Sequence, residues 1–347
     1  MIVESSYLGK ASNDRLKPYG ELRVERYIVI LVAVVTMMSC QNTPEEVSLP
    51  VKRCAVMPVP RASAAACTLG GKGYVFGGRA QDGTYLNDLW CYEPQTDSWT
   101  KTDTLPGQRR VKPLLFTDGE ALYAGFGFSG GRVYDEDSYL KDFWRYTPAD
   151  GQWEQLSKGP NHNTISPVPY LVGQKIYLLY STGTSHTEEI KVYDIPTNRW
   201  DIVKEDGGRA SERFAAAGGQ CGERCFFGTG LNKYNLREWY EVDLPANSWT
   251  ERSRIPGKGR ELCAYCATER YIYLFGGRYF AGEHTGGEVF DEYLRYSADE
   301  DRWERCGTMP CGRGENMIAF RIGEKVYFGL GEDAEGRVIE DLYCLEE

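Results

Sequence analysis

Residues 73–99, GYVFGGRAQDGTYLNDLWCYEPQTDSW, decide the fold. The stretch holds an aromatic and a glycine pair that end one strand (Tyr74, Gly77, Gly78). A polar loop, a second alternating strand over Leu86–Tyr92, a Pro-x-Thr-Asp turn and Trp99 follow. The same grammar returns over Tyr123–Trp153, Tyr177–Trp200, Phe226–Trp249 and Tyr273–Trp303, and stops short over Tyr327–Glu347. Self-similarity of this kind marks a repeat architecture and has to be read before any other fold argument.

Each unit reads as four antiparallel strands, a to d. Fifteen residues before Gly78, Gly127, Ser181, Gly230, Gly277 and Gly331 stand Ser63, Lys112, Ser166, Ala215, Leu262 and Asn316. Each starts an apolar stretch that turns into the next strand. Insertions fall only between strands b and c, the behaviour of a rigid hairpin with a variable loop on one side. Val51–Pro58 (VKRCAVMP) matches the pieces that follow the tryptophans, Trp99–Pro106 (WTKTDTLP) and Trp303–Pro310 (WERCGTMP). The chain thus opens with a fourth strand that lacks its first three and ends with three strands that lack a fourth. Pairing the two closes a ring. The expectation is an all-β, six-bladed propeller over 51–347, closed by an N-terminal strand that completes the last blade. Face-to-face packing leaves only short outer edges exposed, and the aromatics seven before each tryptophan (Tyr92, Tyr146, Tyr193, Tyr296, with Val242 as the exception) serve that packing.

The glycine doublets Gly77-Gly78 and Gly276-Gly277, the Tyr–Trp pairs and the closure resemble the kelch family of β-propellers. The resemblance implies a fold more than a function, because kelch propellers serve as enzymes, sugar binders and interaction platforms. Blades 2, 4 and 6 depart from it with Gly-x-Gly, and blade 3 has Tyr180-Ser181, where a distorted strand b or a wider opening is expected. The copper oxidases with a kelch-like propeller need two His, two Tyr and a cysteine crosslink, and no such constellation occurs. Periplasmic sialic-acid epimerases share the architecture and bind a carboxylated sugar; only the repeat itself is common to them and this chain.

Of the 347 residues, 50 are acidic and 40 basic, a net charge of −10, which argues against nucleic-acid binding by bulk charge. The apolar run Tyr27–Met38 follows Arg23 and Arg26 and suits a signal-peptide core. It leads into Met38-Ser39-Cys40, resembling a bacterial lipoprotein signal with Cys40 as the lipidated residue. The expected layout is 1–40 signal, 41–50 tether, 51–347 propeller. The expected place is the cell envelope, as a monomer that meets the membrane only through its lipid anchor. Ten further cysteines either bridge in an oxidising compartment or pack as small buried hydrophobes. Cys263-x-x-Cys266 has no second pair at zinc spacing, so neither metal nor cofactor is expected.

Antiparallel order puts the d–a and b–c loops on one face, and function tends to sit on long loops over a rigid scaffold. That face reads as basic. Arg79, Phe128, Thr182, Leu231, Arg278 and Glu332 follow the strand-ending pairs, and Lys112, Ser166 and Asn316 begin strands a. Arg61, Arg110, Arg213 and Arg260 recur two residues earlier, and Arg313 stands three before Asn316. An arginine repeated at one offset in four blades reads as a structural tie to carbonyls or to Glu212, Glu261 or Glu315. Arg79, Lys112 and Arg278 break the repeat, and their forks and charge suit a carboxylate or phosphate. The expected ligand site is Arg79, Lys112, Phe128, Arg278, Tyr279, Asn316 and Glu332, taking an anionic saccharide or a protein partner. The alternative is a mutarotase or epimerase acting on an acidic sugar. Its catalytic residues cannot be assigned from the sequence. His162 and Glu283-His284 lie on the right face but read as solvated loop residues.

Overall fold

The computed structural model describes residues 44–132, 135–160, 163–179, 189–204, 213–280 and 287–346. The proposed leader, Cys40, His162, Tyr180-Ser181, Thr182, Glu212 and Glu283-His284 lie outside the described residues.

Six antiparallel sheets carry the strand order a-b-c-d. Blade 1 is Ala65–Leu69, Lys72–Phe76, Asp88–Glu93 and Ser98–Thr104; blade 2 is Leu114–Thr117, Leu122–Gly125, Phe143–Thr147 and Gln152–Gln155. Blade 3 is Val168–Val172, Lys175–Leu179, Glu189–Asp194 and Arg199–Lys204; blade 4 is Ala217–Cys221, Arg224–Gly228, Trp239–Asp243 and Ser248–Arg252. Blade 5 is Ala264–Ala267, Tyr271–Phe275, Glu292–Ser297 and Arg302–Thr308. Blade 6 is Ile318–Ile322, Lys325–Gly329 and Leu342–Leu345, completed by Val51–Arg53. The closing pair is antiparallel, with Val51 opposite Leu345, Lys52 opposite Cys344 and Arg53 opposite Tyr343.

The segment read as a tether contributes structure of its own. Glu45–Glu46 pairs in parallel with the outer edge of blade 5, and Glu45 and Glu46 reach Arg302 and Arg305. Blade 3 is regular through Leu179, which lies opposite Val168.

The seven-residue spacing of Tyr and Trp has a geometric cause: the two are directly opposed across strands c and d. Their ring centroids lie 4.8–5.1 Å apart. In blades 1, 3 and 5 a third residue joins them. Asp97, Asn198 and Asp301 accept from the tyrosine hydroxyl and also from a backbone amide of the preceding blade, Ala55, Ser157 and Ser253. The indoles of Trp99, Trp200 and Trp303 return a bond to the carbonyls of those same residues at 2.8–3.0 Å. The repeat thus encodes a two-point tie between blades as well as a core contact.

Two further links run around the hub. The second residue of each glycine pair donates its amide to the next blade: Gly78 to Arg110, Gly127 to Thr164, Gly230 to Arg260, Gly277 to Gly314, and Gly331 to Arg61, at 2.8–2.9 Å. The residues that begin strands a form an inner collar. Ser63 donates to Asn316, Lys112 to Ser63, Ser166 to Lys112, Leu262 to Ala215 and Asn316 to Leu262. All six collar residues have φ between 45° and 57°, the left-handed region. These five bonds hold the collar backbone in its strained conformation.

Candidate functional site

The b–c loops and the starts of strands a share one face. Ala62 bridges Arg79, Val111 bridges Phe128, Phe214 bridges Leu231, Glu261 bridges Arg278 and Glu315 bridges Glu332. Arg79 and Arg278 therefore open on the same side. Below the collar lies a central cavity of about 250 Å³. Its wall is largely apolar, with alanines and prolines of strands a, Cys67, Cys263, Cys266 and Tyr265. Among the described residues no group of three or more His, Cys, Asp or Glu comes together to hold a metal ion.

The four repeated arginines are not ligand donors. Arg61, Arg110 and Arg260 are fully buried and Arg213 is 3% exposed. Each gives Nη1 to the carbonyl sixteen residues on, that of Gly77, Phe126, Thr229 and Gly276. Three of them bind a carboxylate at the start of strand c: Arg61 with Asp88, Arg110 with Asp142 and Arg260 with Glu292. The structural-tie reading holds, with acid partners that differ from the sequence candidates Glu261 and Glu315. Those two are turned into the mouth. Arg313 is exposed, and Gly314 occupies the corresponding position of blade 6.

The mouth is charge-balanced rather than basic. Arg79 Nη2 meets Glu332 Oε2 at 2.5 Å, and Asn316 Nδ2 donates to the other oxygen of Glu332 at 2.7 Å. Arg278 Nη1 reaches Glu315 Oε1 at 3.4 Å. Lys112 lies over the Phe214 ring, Nζ 4.4 Å from its centroid, within the field of Glu261, Glu315 and Glu332. The expectation of one-signed charge fails because three carboxylates fold in beside three cations. Sequence offsets show that Glu261 and Glu315 flank strands a, but not that their neighbours Arg260 and Gly314 leave them free to face inward.

Phe128 packs edge-on against Tyr139 within its own loop, centroids 5.2 Å apart. Tyr279 lies under Lys258, with Nζ 5.3 Å from the ring centroid. Phe280 is 37% exposed, and its amide donates to the Asn235 side chain. Tyr234, at the tip of the neighbouring blade-4 hairpin, is 76% exposed. It was not singled out from the sequence, since nothing there distinguishes it from the core tyrosines.

Burial pushes the Glu261 carboxyl up to about 7, against the opposing pull of Lys112 and Arg278. Burial likewise raises Glu315. Burial lowers Lys112 to about 8, against the attraction of the three glutamates. In the native state Glu261 binds a proton between its ordinary 4.5 and about 7 that the unfolded chain has released. Its contribution to stability therefore falls as pH rises through that window. Lys112 has the opposite sense: its burden is present below about 8 and is relieved as pH rises toward 10.5. The mouth costs most stability between the two. Glu261→Gln is expected to leave urea stability near pH 4 unchanged and to raise it by about 2–3 kcal/mol near pH 8. Equal stability of the two proteins near pH 8 would show that the carboxylate is not under strain.

The KLHDC2/KLHL20/DRC7 Kelch-repeats domain family matches residues 36–170. Kelch-like protein 25 of Xenopus tropicalis is 26% identical over 267 residues, 74% of this chain and 42% of its own length. N-acetylneuraminate epimerase 1 of Escherichia coli O6:H1 is 24% identical over 314 residues, 83% of this chain and 77% of its own length. The solved structure of YjhT superposes with a TM-score of 0.69 at 15% identity, covering 84% of this chain and 96% of that one. The chain spans less than half the length of the Kelch-like proteins it matches. With the repeat, the closure and the structural likeness together, the chain is a six-bladed β-propeller, and its repeat is similar to the kelch repeat over residues 36–170.

Proposed function

We propose that the protein is a binding module whose mouth takes an anionic saccharide, held at the cell envelope by a lipid on Cys40. One observation carries this reading. Arg278 Nε and Glu315 Oε2 are buried with no hydrogen-bond partner among the described residues, a donor and an acceptor on side chains that meet at the mouth through Nη1 and Oε1. A buried donor and acceptor left unmade are costly, and a ligand offering a carboxylate and hydroxyls satisfies both kinds. Arg79 and Arg278 then exchange Glu332 and Glu315 for the ligand's carboxylate. The exposed rings of Phe280 and Tyr234 offer apolar faces at the rim.

Arg79→Ala with Arg278→Ala is expected to weaken binding of acidic glycans at least about 100-fold, since truncating one partner of a charged pair costs about 2–5 kcal/mol. Thermal stability should stay near wild type, as both side chains are part-exposed. A glycan array and titration calorimetry on the chain from Cys40 onward would read the binding. No acidic glycan bound by the wild type would turn the reading toward a protein partner. Equal loss of fold and binding would make the two arginines structural.

A second reading, mutarotation or epimerisation of an acidic sugar, is favoured by one specific feature. Glu261 at about 7 and Lys112 at about 8 are poised for general acid–base work near neutral pH. The relative named N-acetylneuraminate epimerase supports the same substrate class. Anomer exchange of N-acetylneuraminate followed by NMR distinguishes the readings. Acceleration lost in Glu261→Gln with binding retained favours the enzyme. No acceleration over buffer leaves the binding module.

A further inference from the structure

The ring is closed by a strand of only three residues, Val51–Arg53, and a cysteine stands on each side of that seam. Cys344 belongs to the strand Leu342–Leu345 and lies on the face of Lys52, its direct partner. The Cys54 amide continues the ladder to the Leu342 carbonyl at 2.8 Å. Alternate residues of a strand share a face, so Cys54 and Cys344 are diagonal neighbours on the same side of the seam. The Cys54 thiol faces the Lys52 carbonyl and the Cys344 thiol the Leu345 carbonyl, and the two sulfurs interact with each other, with the Tyr92 hydroxyl near Cys54 and the Tyr327 hydroxyl near Cys344. Both cysteines are free. The two are unequal. Cys54 is partly exposed, and Cys344 is 3% exposed within the core between blades 6 and 1. The interaction with Cys344 lowers the Cys54 thiol against the effect of burial, and the same interaction followed by burial raises Cys344, so the thiolate of the pair falls on the more exposed sulfur. An accessible thiol next to a sheltered one is the arrangement of an attacking and a resolving cysteine.

We propose that Cys54 and Cys344 form a redox latch, a disulfide across the closing seam made by exchange with a small-molecule or protein disulfide. The Cys54 thiolate attacks one sulfur of the oxidant, whose other sulfur leaves as a thiolate. Cys344 gives its proton to solvent or to that leaving thiolate and attacks the Cys54 sulfur of the mixed disulfide. The second half of the oxidant leaves in turn. Two protein thiols are oxidised and one disulfide is reduced to two thiols, so the step balances. The link joins positions near the two ends of the propeller. It constrains the unfolded chain over almost the whole domain, where the entropic effect of a crosslink is greatest. Opening of the seam, which in the reduced protein rests on three residue pairs, the Cys54, Met57 and Glu346 amides and the Arg53–Asp341 ion pair, then needs reduction first. The latch sits at the blade-6 seam and does not depend on what the mouth binds.

The test uses the full chain incubated with oxidised glutathione at about pH 8, where thiol–disulfide exchange is fast. Two thiols per chain should be lost to Ellman titration in denaturant, and a Cys54–Cys344 linked peptide should be found by mass spectrometry. The melting temperature should rise by about 5–10 °C and return with dithiothreitol. Cys54→Ser should lose all three responses while keeping the reduced protein's melting temperature. Cys344→Ala, if it folds, should trap glutathione on Cys54. Because Cys344 is buried, Cys54→Ser carries the test alone if that variant does not fold. Stable glutathione on wild-type Cys54, linkage of either cysteine to a third one, or a Cys54–Cys344 link that leaves the melting temperature unchanged would each overturn the proposal.

Discussion

Arg110→Ala should lose about 3–5 kcal/mol of stability, the usual cost of removing one partner from a buried ion pair. For a domain this large that lowers the melting temperature by on the order of 10 °C. Arg110 is fully buried. It gives two 2.7 Å bonds to the two oxygens of Asp142 and one each to the carbonyls of Phe126 and Gln108. Alanine leaves that carboxylate beside the Trp144 indole, its remaining donor there, and leaves the Phe126 carbonyl without the arginine. Lysine should not rescue, because an ammonium cannot present the planar fork that reaches both carboxylate oxygens and the carbonyl together. Urea denaturation of the three proteins is the measurement. A loss below about 1 kcal/mol in Arg110→Ala, the range of exposed pairs, would remove the arginine from the structural framework.

Gly277→Ala should cost about as much, and more than the same change at a glycine with open space around it. Gly277 has φ +86°, and a Cβ there would stand 2.6 Å from the Glu261 carbonyl and 2.9 Å from the Cys263 Cβ. Its amide is also the blade 5 to blade 6 link to Gly314. Strained backbone costs about 1–3 kcal/mol, and overpacking adds a similar amount. A total of about 3–5 kcal/mol is expected. Gly222→Ala is the control: φ is +59° with nothing within 4 Å of the added methyl, so only the left-handed strain of about 1 kcal/mol remains. Thermal melts of both variants separate the effects. Equal losses would mean that the approach to Glu261 relaxes freely.

The same crowding explains the departures from the glycine doublet. The second position has φ between 86° and 99° in the five described blades, and a Cβ there would come within 2.6–2.8 Å of the carbonyl just before the collar residue that leads into strand a. Glycine is required. The first position is left-handed too, yet Phe126, Thr229 and Leu330 occupy it in blades 2, 4 and 6 at φ 52–58°. In those blades the glycine moves one residue earlier, to Gly125, Gly228 and Gly329, where a Cβ would meet the carbonyls of Asp142, Glu238 and Asp341 at 2.2–2.3 Å. The bulky side chain and the lost one are exchanged between adjacent positions.

Blade number, strand order and closure were legible in the chain because each follows from local spacing. A hairpin fixes its own register, a Tyr and a Trp seven apart are one cross-strand pair, and a lone fourth strand at one end answers three strands at the other. The shared face of Arg79 and Arg278 followed from the antiparallel order alone. The charge of the mouth did not. Arg79 and Glu332 are 253 residues apart, and Lys112 of blade 2 lies over Phe214 of blade 4. Only the closed ring brings these groups within hydrogen-bonding or van der Waals distance, and only their shared burial moves Glu261 and Lys112 toward neutral pH. Local geometry is written in a repeat's period; the balance of charge and desolvation at its hub depends on the sum of blades that are distant in the chain.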